Sequence, residues 1–152
     1  MLSRFALLVI IVACSTSVAR AHVDTDNRYE WSILDVIDGD TLKIFLPGLP
    51  PELQTLKVRV RGIDTPELHG KCAAEKAAAR KASAFTRHLV DAAKAAEKPI
   101  YFSKIDWDKY GGRIDADVVI DGRSLADMLV GAGLARRYKG GKRGIWCAGK
   151  IP

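Results

Sequence analysis

Residues 56–61 read Leu-Lys-Val-Arg-Val-Arg, an unbroken alternation with Leu56, Val58 and Val60 on one side and Lys57, Arg59 and Arg61 on the other. A period of two is strand geometry, so this segment is a strand with one face in a core and a cationic face turned away from it. Two segments rich in aromatic and β-branched residues precede it, 29–37 and 41–46. Asp38-Gly39-Asp40 separates them, and Asp-Gly between apolar runs is a hairpin signal. Pro47-Gly48-Leu49-Pro50-Pro51 then forces a loop. Residues 99–105 and 114–120 read as two further strands, joined by a turn containing Lys109-Tyr110-Gly111-Gly112.

Two helices complete the pattern. From about Ala73 to Lys98, the residues Ala78, Ala82, Phe85, Leu89 and Ala92 fall at helical spacing and predict one apolar stripe, with Lys and Arg over much of the rest. The second helix opens at Ser124-Leu125-Ala126-Asp127, a start resembling a capping box, and Gly131 or Gly133 can end it. The order is three strands, a helix, two strands, a helix. That is an α+β chain, mainly β, suited to a five-stranded barrel of the OB type with two to three packed helices. A generic α+β sandwich fits the same order. At 152 residues and 48% hydrophobic content the chain is expected to hold a single cored domain.

The first 21 residues have the layout of a secretory signal: a basic start through Arg4, an apolar stretch from Phe5 to Ala13, and Ala19-Arg20-Ala21 at the end. The expected domain is therefore 22–152, in the periplasm or secreted. A rival reading takes Ile11-Val12-Ala13-Cys14 as a loose lipoprotein box with lipid on Cys14. Arg4 and Arg20 leave with the signal and no acid does, so the net charge falls from +6 to +4. Export leaves Cys72 and Cys147 as an even pair in an oxidising compartment, where a disulfide is expected and two free thiols are the alternative.

Three clusters bring unlike charges together: Val36-Ile37-Asp38-Gly39-Asp40-Thr41, Arg59 through Glu67, and Lys109-Tyr110-Gly111-Gly112-Arg113. Each has an ordinary explanation on its own. Asp-Gly is a hairpin turn, alternating arginines mark a solvated strand face, and Asp64-Thr65-Pro66-Glu67 reads as a strand exit followed by a helix start. In this order, with a long basic helix between the second and third, they resemble the staphylococcal nuclease-like (thermonuclease) family. The resemblance covers roughly residues 30 to 138 and includes Gly133-Leu134-Ala135-Arg136. It implies an OB-fold barrel that cleaves DNA and RNA with Ca2+ and leaves 3′-phosphate ends.

Matched to the family motif, Asp40 and Asp64 supply carboxylates to the ion and Thr65 its backbone carbonyl, with Asp38 near the ion rather than on it. Calcium prefers such oxygen ligands. Glu67 is the implied general base, and Arg59 and Arg113 are the phosphate clamps, because a guanidinium fork matches two phosphate oxygens. Replacing any of the three by Ala is expected to leave the protein folded and nearly inactive. Lys109, Tyr110 and Tyr138 are implied substrate neighbours. Simple alternation sets Arg59 and Asp64 on opposite faces, and a bulge at Gly62 is expected to correct it.

Other candidates fall away. Asp24-Thr25-Asp26-Asn27-Arg28 mimics an EF-hand opening but puts Arg28 at a ligand position, and His22, His69 and His88 lack metal spacing. Lys76, Arg80, Lys81 and Arg87 are expected on the solvated face of the long helix. The sequence reading is thus an exported calcium-dependent nuclease with DNA and RNA as partners, and nothing in it demands more than a monomer. A non-catalytic OB-fold nucleic-acid-binding module is the alternative.

Overall fold

The computed structural model describes residues 27–109 and 111–147. The expectations for the signal segment, Cys14 and Tyr110 therefore lie outside the described residues. Strands β1 (Ser32–Asp38), β2 (Thr41–Phe45) and β3 (Thr55–Val60) form an antiparallel meander. Strands β4 (Ile63–Asp64) and the long helix α1 (Ala73–Ala95) follow, then β5 (Ile100–Trp107) and β6 (Arg113–Ile120). The chain closes with β7 (Arg123–Ser124), α2 (Leu125–Gly131) and β8 (Arg136–Arg137).

The main sheet runs β1-β2-β3-β6-β5, with β3 and β6 parallel and the other pairs antiparallel. It curls until its two edges meet: Tyr29, just before β1, exchanges both backbone hydrogen bonds with Phe102 of β5 at 2.8 Å. Five strands joined in this way make the expected OB-type α+β fold. The interior is apolar because each strand alternates. In β6, Ile114, Ala116, Val118 and Ile120 all point inward and are buried. Phe102, Leu42, Ile44 and Val58 fill the centre, and each such side chain contributes about 2 kcal/mol by leaving water.

Helix α1 covers one side of β1, and its buried stripe is Glu75, Ala79, Ala82, Thr86, Val90 and Ala93. The apolar residues named from spacing are shifted one position from it: only Ala82 is shared, Phe85 and Leu89 lie at its margin, and Ala92 is exposed. The reason is that polar groups share the stripe. Thr86 is fully buried because its hydroxyl donates to the Gly39 carbonyl at 2.8 Å. Lys76, Arg80, Lys81 and Arg87 are exposed, as expected, and Arg87 also donates to Asp35 and to the Val36 carbonyl. The helix begins at Cys72, well after Pro66, so Asp64-Thr65-Pro66-Glu67 is not its first turn. In α2, Ser124 accepts from the Asp127 amide, as a cap should. A Schellman turn ends α2: Gly133 has φ +68, and Leu134 N–H donates to Leu129.

The two thiols are joined. Cys72 at the start of α1 and Cys147 near the carboxyl end form a disulfide, with Cα atoms 5.8 Å apart. It ties the segment after β8 to the start of α1.

Candidate active site

Pairing register gathers the site. Thr41 pairs with Arg59, which sets the hairpin turn of Asp38-Gly39-Asp40 beside Arg59. On the other side of β3 the parallel pairs are Lys57 with Arg113 and Arg59 with Asp115, so Arg113 enters β6 next to Arg59. The turn itself is bolted to α1. A Cβ on Gly39 would stand 2.7 Å from the Cβ of Ala82 and 3.0 Å from Thr65 Cγ2. The glycine is there for close approach, since neither turn residue has a positive φ.

Asp64 arrives by a different route from the expected bulge. The chain turns at Arg61-Gly62, where Gly62 has φ +79, and restarts as β4, which pairs with β8 instead of with the barrel. That turn places Arg59 and Asp64 side by side despite their parity. Arg59 Nη2 donates to the Ile63 carbonyl at 3.1 Å and lies 3.5 Å from Asp40 Oδ2 and 3.8 Å from Asp64 Oδ1. All three side chains are buried.

Asp40, Thr41, Arg59, Thr65, Glu67 and Arg113 line one small cavity of about 30 Å³, room for an ion or a water. Asp38 and Arg143 complete its wall. Asp64 does not line it and joins the group through Arg59 and Arg143, the two guanidinium groups that touch its carboxylate. Arg59, Glu67, Arg113 and Arg143 also line a cleft of about 880 Å³, together with Arg61, Lys109, Tyr138 and Lys139. Tyr138 sits under the Arg59 guanidinium, 5.8 Å from ring centre to Cζ. Glu67 is exposed, as is His69.

The two acids are tied to one loop and one arginine. Asp40 Oδ2 accepts from the Thr65 amide at 3.2 Å, which holds the first acid to the loop carrying the second. Asp64 Oδ1 is buried and accepts no hydrogen bond, so its lone pairs remain for a positive charge. Carboxylates, without thiolate or imidazole, are donors that calcium or magnesium takes in preference to zinc. Burial followed by the neighbouring charge of Asp40 pushes the Asp38 carboxyl up to about 6. Burial also raises Asp64, against the opposing pull of a hydrogen bond from Trp146 and the charge of Arg143.

A match to the staphylococcal nuclease homologue family covers residues 57–146, more than half of the chain. The chain belongs to that family. The match begins inside β3 and so includes Arg59, Asp64, Thr65, Glu67 and Arg113 but not the Asp40 turn. It also continues past residue 138, where the resemblance seen in the sequence stopped, to take in the tail.

That tail holds the residues that sequence reasoning missed. Arg143 Nε lies 3.3 Å from Asp64 Oδ1 while its Nη1 pairs with Glu67 Oε1. Trp146 Nε1 donates to Asp64 Oδ2 at 3.1 Å. The signal was the basic, glycine-containing run 139–143 a few residues before a cysteine whose partner lies just beyond Glu67. Asp108 was missed as well: it is buried and accepts from Arg113 Nε at 2.6 Å, fixing that guanidinium at the cleft.

Proposed function

We propose that this member of the family is an exported, calcium-dependent nuclease that hydrolyses phosphodiester bonds of DNA and RNA with little sequence preference and leaves 3′-phosphate ends. One observation carries the reading: Asp40, Arg59, Glu67 and Arg113, from three separate stretches of chain, line one cavity, and the last three also line a cleft rich in Lys and Arg.

In this reading Asp40, Asp64 and the Thr65 carbonyl would hold the ion. Once bound there, calcium would supply Lewis-acid polarisation of the phosphodiester oxygens. Arg59 and Arg113 face the same cavity and grip the equatorial oxygens, where charge builds during in-line attack. Asp108 keeps Arg113 aimed there. Glu67 accepts the proton of the attacking water. Lys109 and Tyr138 line the cleft that a substrate strand would follow in this reading, and Tyr110 belongs to the same turn as Lys109. Contacts of this type hold the backbone, which carries no sequence information. The Cys72–Cys147 disulfide supports export, since such bonds persist in oxidising compartments.

The test is incubation of the purified protein with single-stranded DNA and RNA, in calcium and in chelator, with analysis of the product ends. Cleavage only in calcium, ending in 3′-phosphate, is expected. Tight binding without cleavage by the folded protein in calcium would assign it instead to the non-catalytic OB-fold modules.

A further inference from the structure

Two guanidinium groups meet the Asp64 carboxylate, and they are held differently. Arg59 is 7% exposed, sits within a strand and donates to the Ile63 carbonyl, so it is part of the wall. Arg143 comes from the segment after β8, and its side chain is 38% exposed. Nε faces Asp64 Oδ1 and Nη1 faces Glu67, one carboxylate assigned above to the ion and one to the water. Asp64 Oδ1 takes a hydrogen bond from neither arginine, so what it shares with Arg143 is charge alone.

The tail is built to keep that guanidinium in place. The disulfide ties Cys147 to α1, and Trp146 donates to Asp64 Oδ2. The Arg136 guanidinium lies 3.5 Å over the Trp146 ring, and Arg136 Nη2 donates to the Ile145 carbonyl at 2.8 Å. Tyr138 takes the Gly62 carbonyl through its amide at 2.9 Å and gives its hydroxyl to the Gly141 carbonyl at 2.7 Å. Arg143 is therefore suspended between two anchored ends.

We propose that Arg143 is the resident counter-ion of the acidic site, delivered by a disulfide-anchored strap, and that a divalent cation binds there by displacing its guanidinium from Asp64. This rests on the calcium reading above. It makes metal binding a competition between a +2 ion and a tethered +1 group for the same carboxylate oxygen. Neutralising Arg143 removes a like charge a few ångströms from the incoming ion, which should tighten calcium roughly tenfold or more.

Calcium titration of the purified protein by calorimetry tests this without relying on activity. Arg143→Gln and Arg143→Ala should bind calcium about tenfold tighter than the unaltered chain, while Arg143→Lys keeps most of the weakness. The Cys72→Ser/Cys147→Ser double variant, shown folded by circular dichroism, should move in the same direction because the strap is released. If that double variant does not fold, the Arg143 series still decides. Unchanged or weaker calcium affinity in Arg143→Gln overturns the proposal. Unchanged calcium affinity with weakened binding of a short oligodeoxynucleotide would instead make Arg143 a phosphate contact. No calcium binding to the unaltered chain or to any variant defeats the metal reading itself, and this inference with it.

Discussion

Arg59 reaches Asp64 from inside β3, buried and tied to backbone, whereas Arg143 reaches it from a tail whose hold depends on a covalent bond and a few side chains. The same division runs through the whole site. Asp40, Thr65 and Arg59 are fixed by strand register and by the contact of Gly39 with α1. Glu67, Lys109 and Arg143 are exposed and stand on loops. Groups that must keep fixed separations around an ion benefit from strands that cannot shift singly. In the nuclease reading, groups that follow a strand of substrate or give way to an ion need freedom, and loops supply it.

The largest test of that division is to remove arginines and the glutamate from each side of it. Glu67→Ala should remain folded and lose at least about a hundredfold in cleavage rate on single-stranded DNA, some 3 kcal/mol of transition-state stabilisation; Arg113→Ala should lose as much and also some stability, because it leaves the buried Asp108 without that partner. Arg59→Ala should lose as much activity and also cost about 3 kcal/mol of stability in urea unfolding, because it removes a buried counter-charge from the buried Asp40 and Asp64. This revises the sequence expectation that Arg59→Ala folds like the others. Arg59→Ala with unaltered stability would erase the contrast with the loops.

Next in size, the Cys72→Ser/Cys147→Ser variant should lose about 2–4 kcal/mol in chemical denaturation, since the bond closes a loop of 75 residues. Limited proteolysis should then cut first between 138 and 147, leaving the barrel whole. Cleavage beginning in β2 or β3 would mean the strap supports the rigid half as well.

Gly39→Ala tests the rigid half directly. Its added methyl meets backbone-fixed atoms of Ala82 and Thr65, so a loss of about 1–3 kcal/mol is expected from thermal melting. The smallest effect concerns pH. The Asp38 carboxyl is pushed up to about 6, so between about pH 4 and 6 the folded state holds more protons than the unfolded one. Stability without metal therefore falls as pH rises through that window, and the penalty is complete above it. Asp38→Asn should be more stable than the unaltered chain by about 1–2 kcal/mol at pH 7–8 and equal to it near pH 3.5. Equal curves across the range would show that the carboxyl is better solvated than its burial implies.

Much of this was legible in the sequence because it is local. Alternation marks strands wherever one face is buried, which is why β3 and β6 could be read directly. Ser124 announces α2 because a cap needs only its own next turn. The residues around the cavity were nameable because motif order survives as order along the chain. The failures are those where a distant partner decides. Thr86 could not be placed in the α1 stripe without the Gly39 carbonyl that receives its hydroxyl. The route of Asp64 depended on β8, and the long reach from Asp64 to Arg143 depended on the disulfide.

Sequence by itself determined the elements, their order and the residue types available to the chemistry, since backbone preference and hydrophobic period act within a few residues. Only the tertiary structure decided which charges share a cavity and which of them the tail reaches. Those outcomes turn on register, on a single close approach at Gly39 and on the bond between Cys72 and Cys147, all of which join residues far apart along the chain.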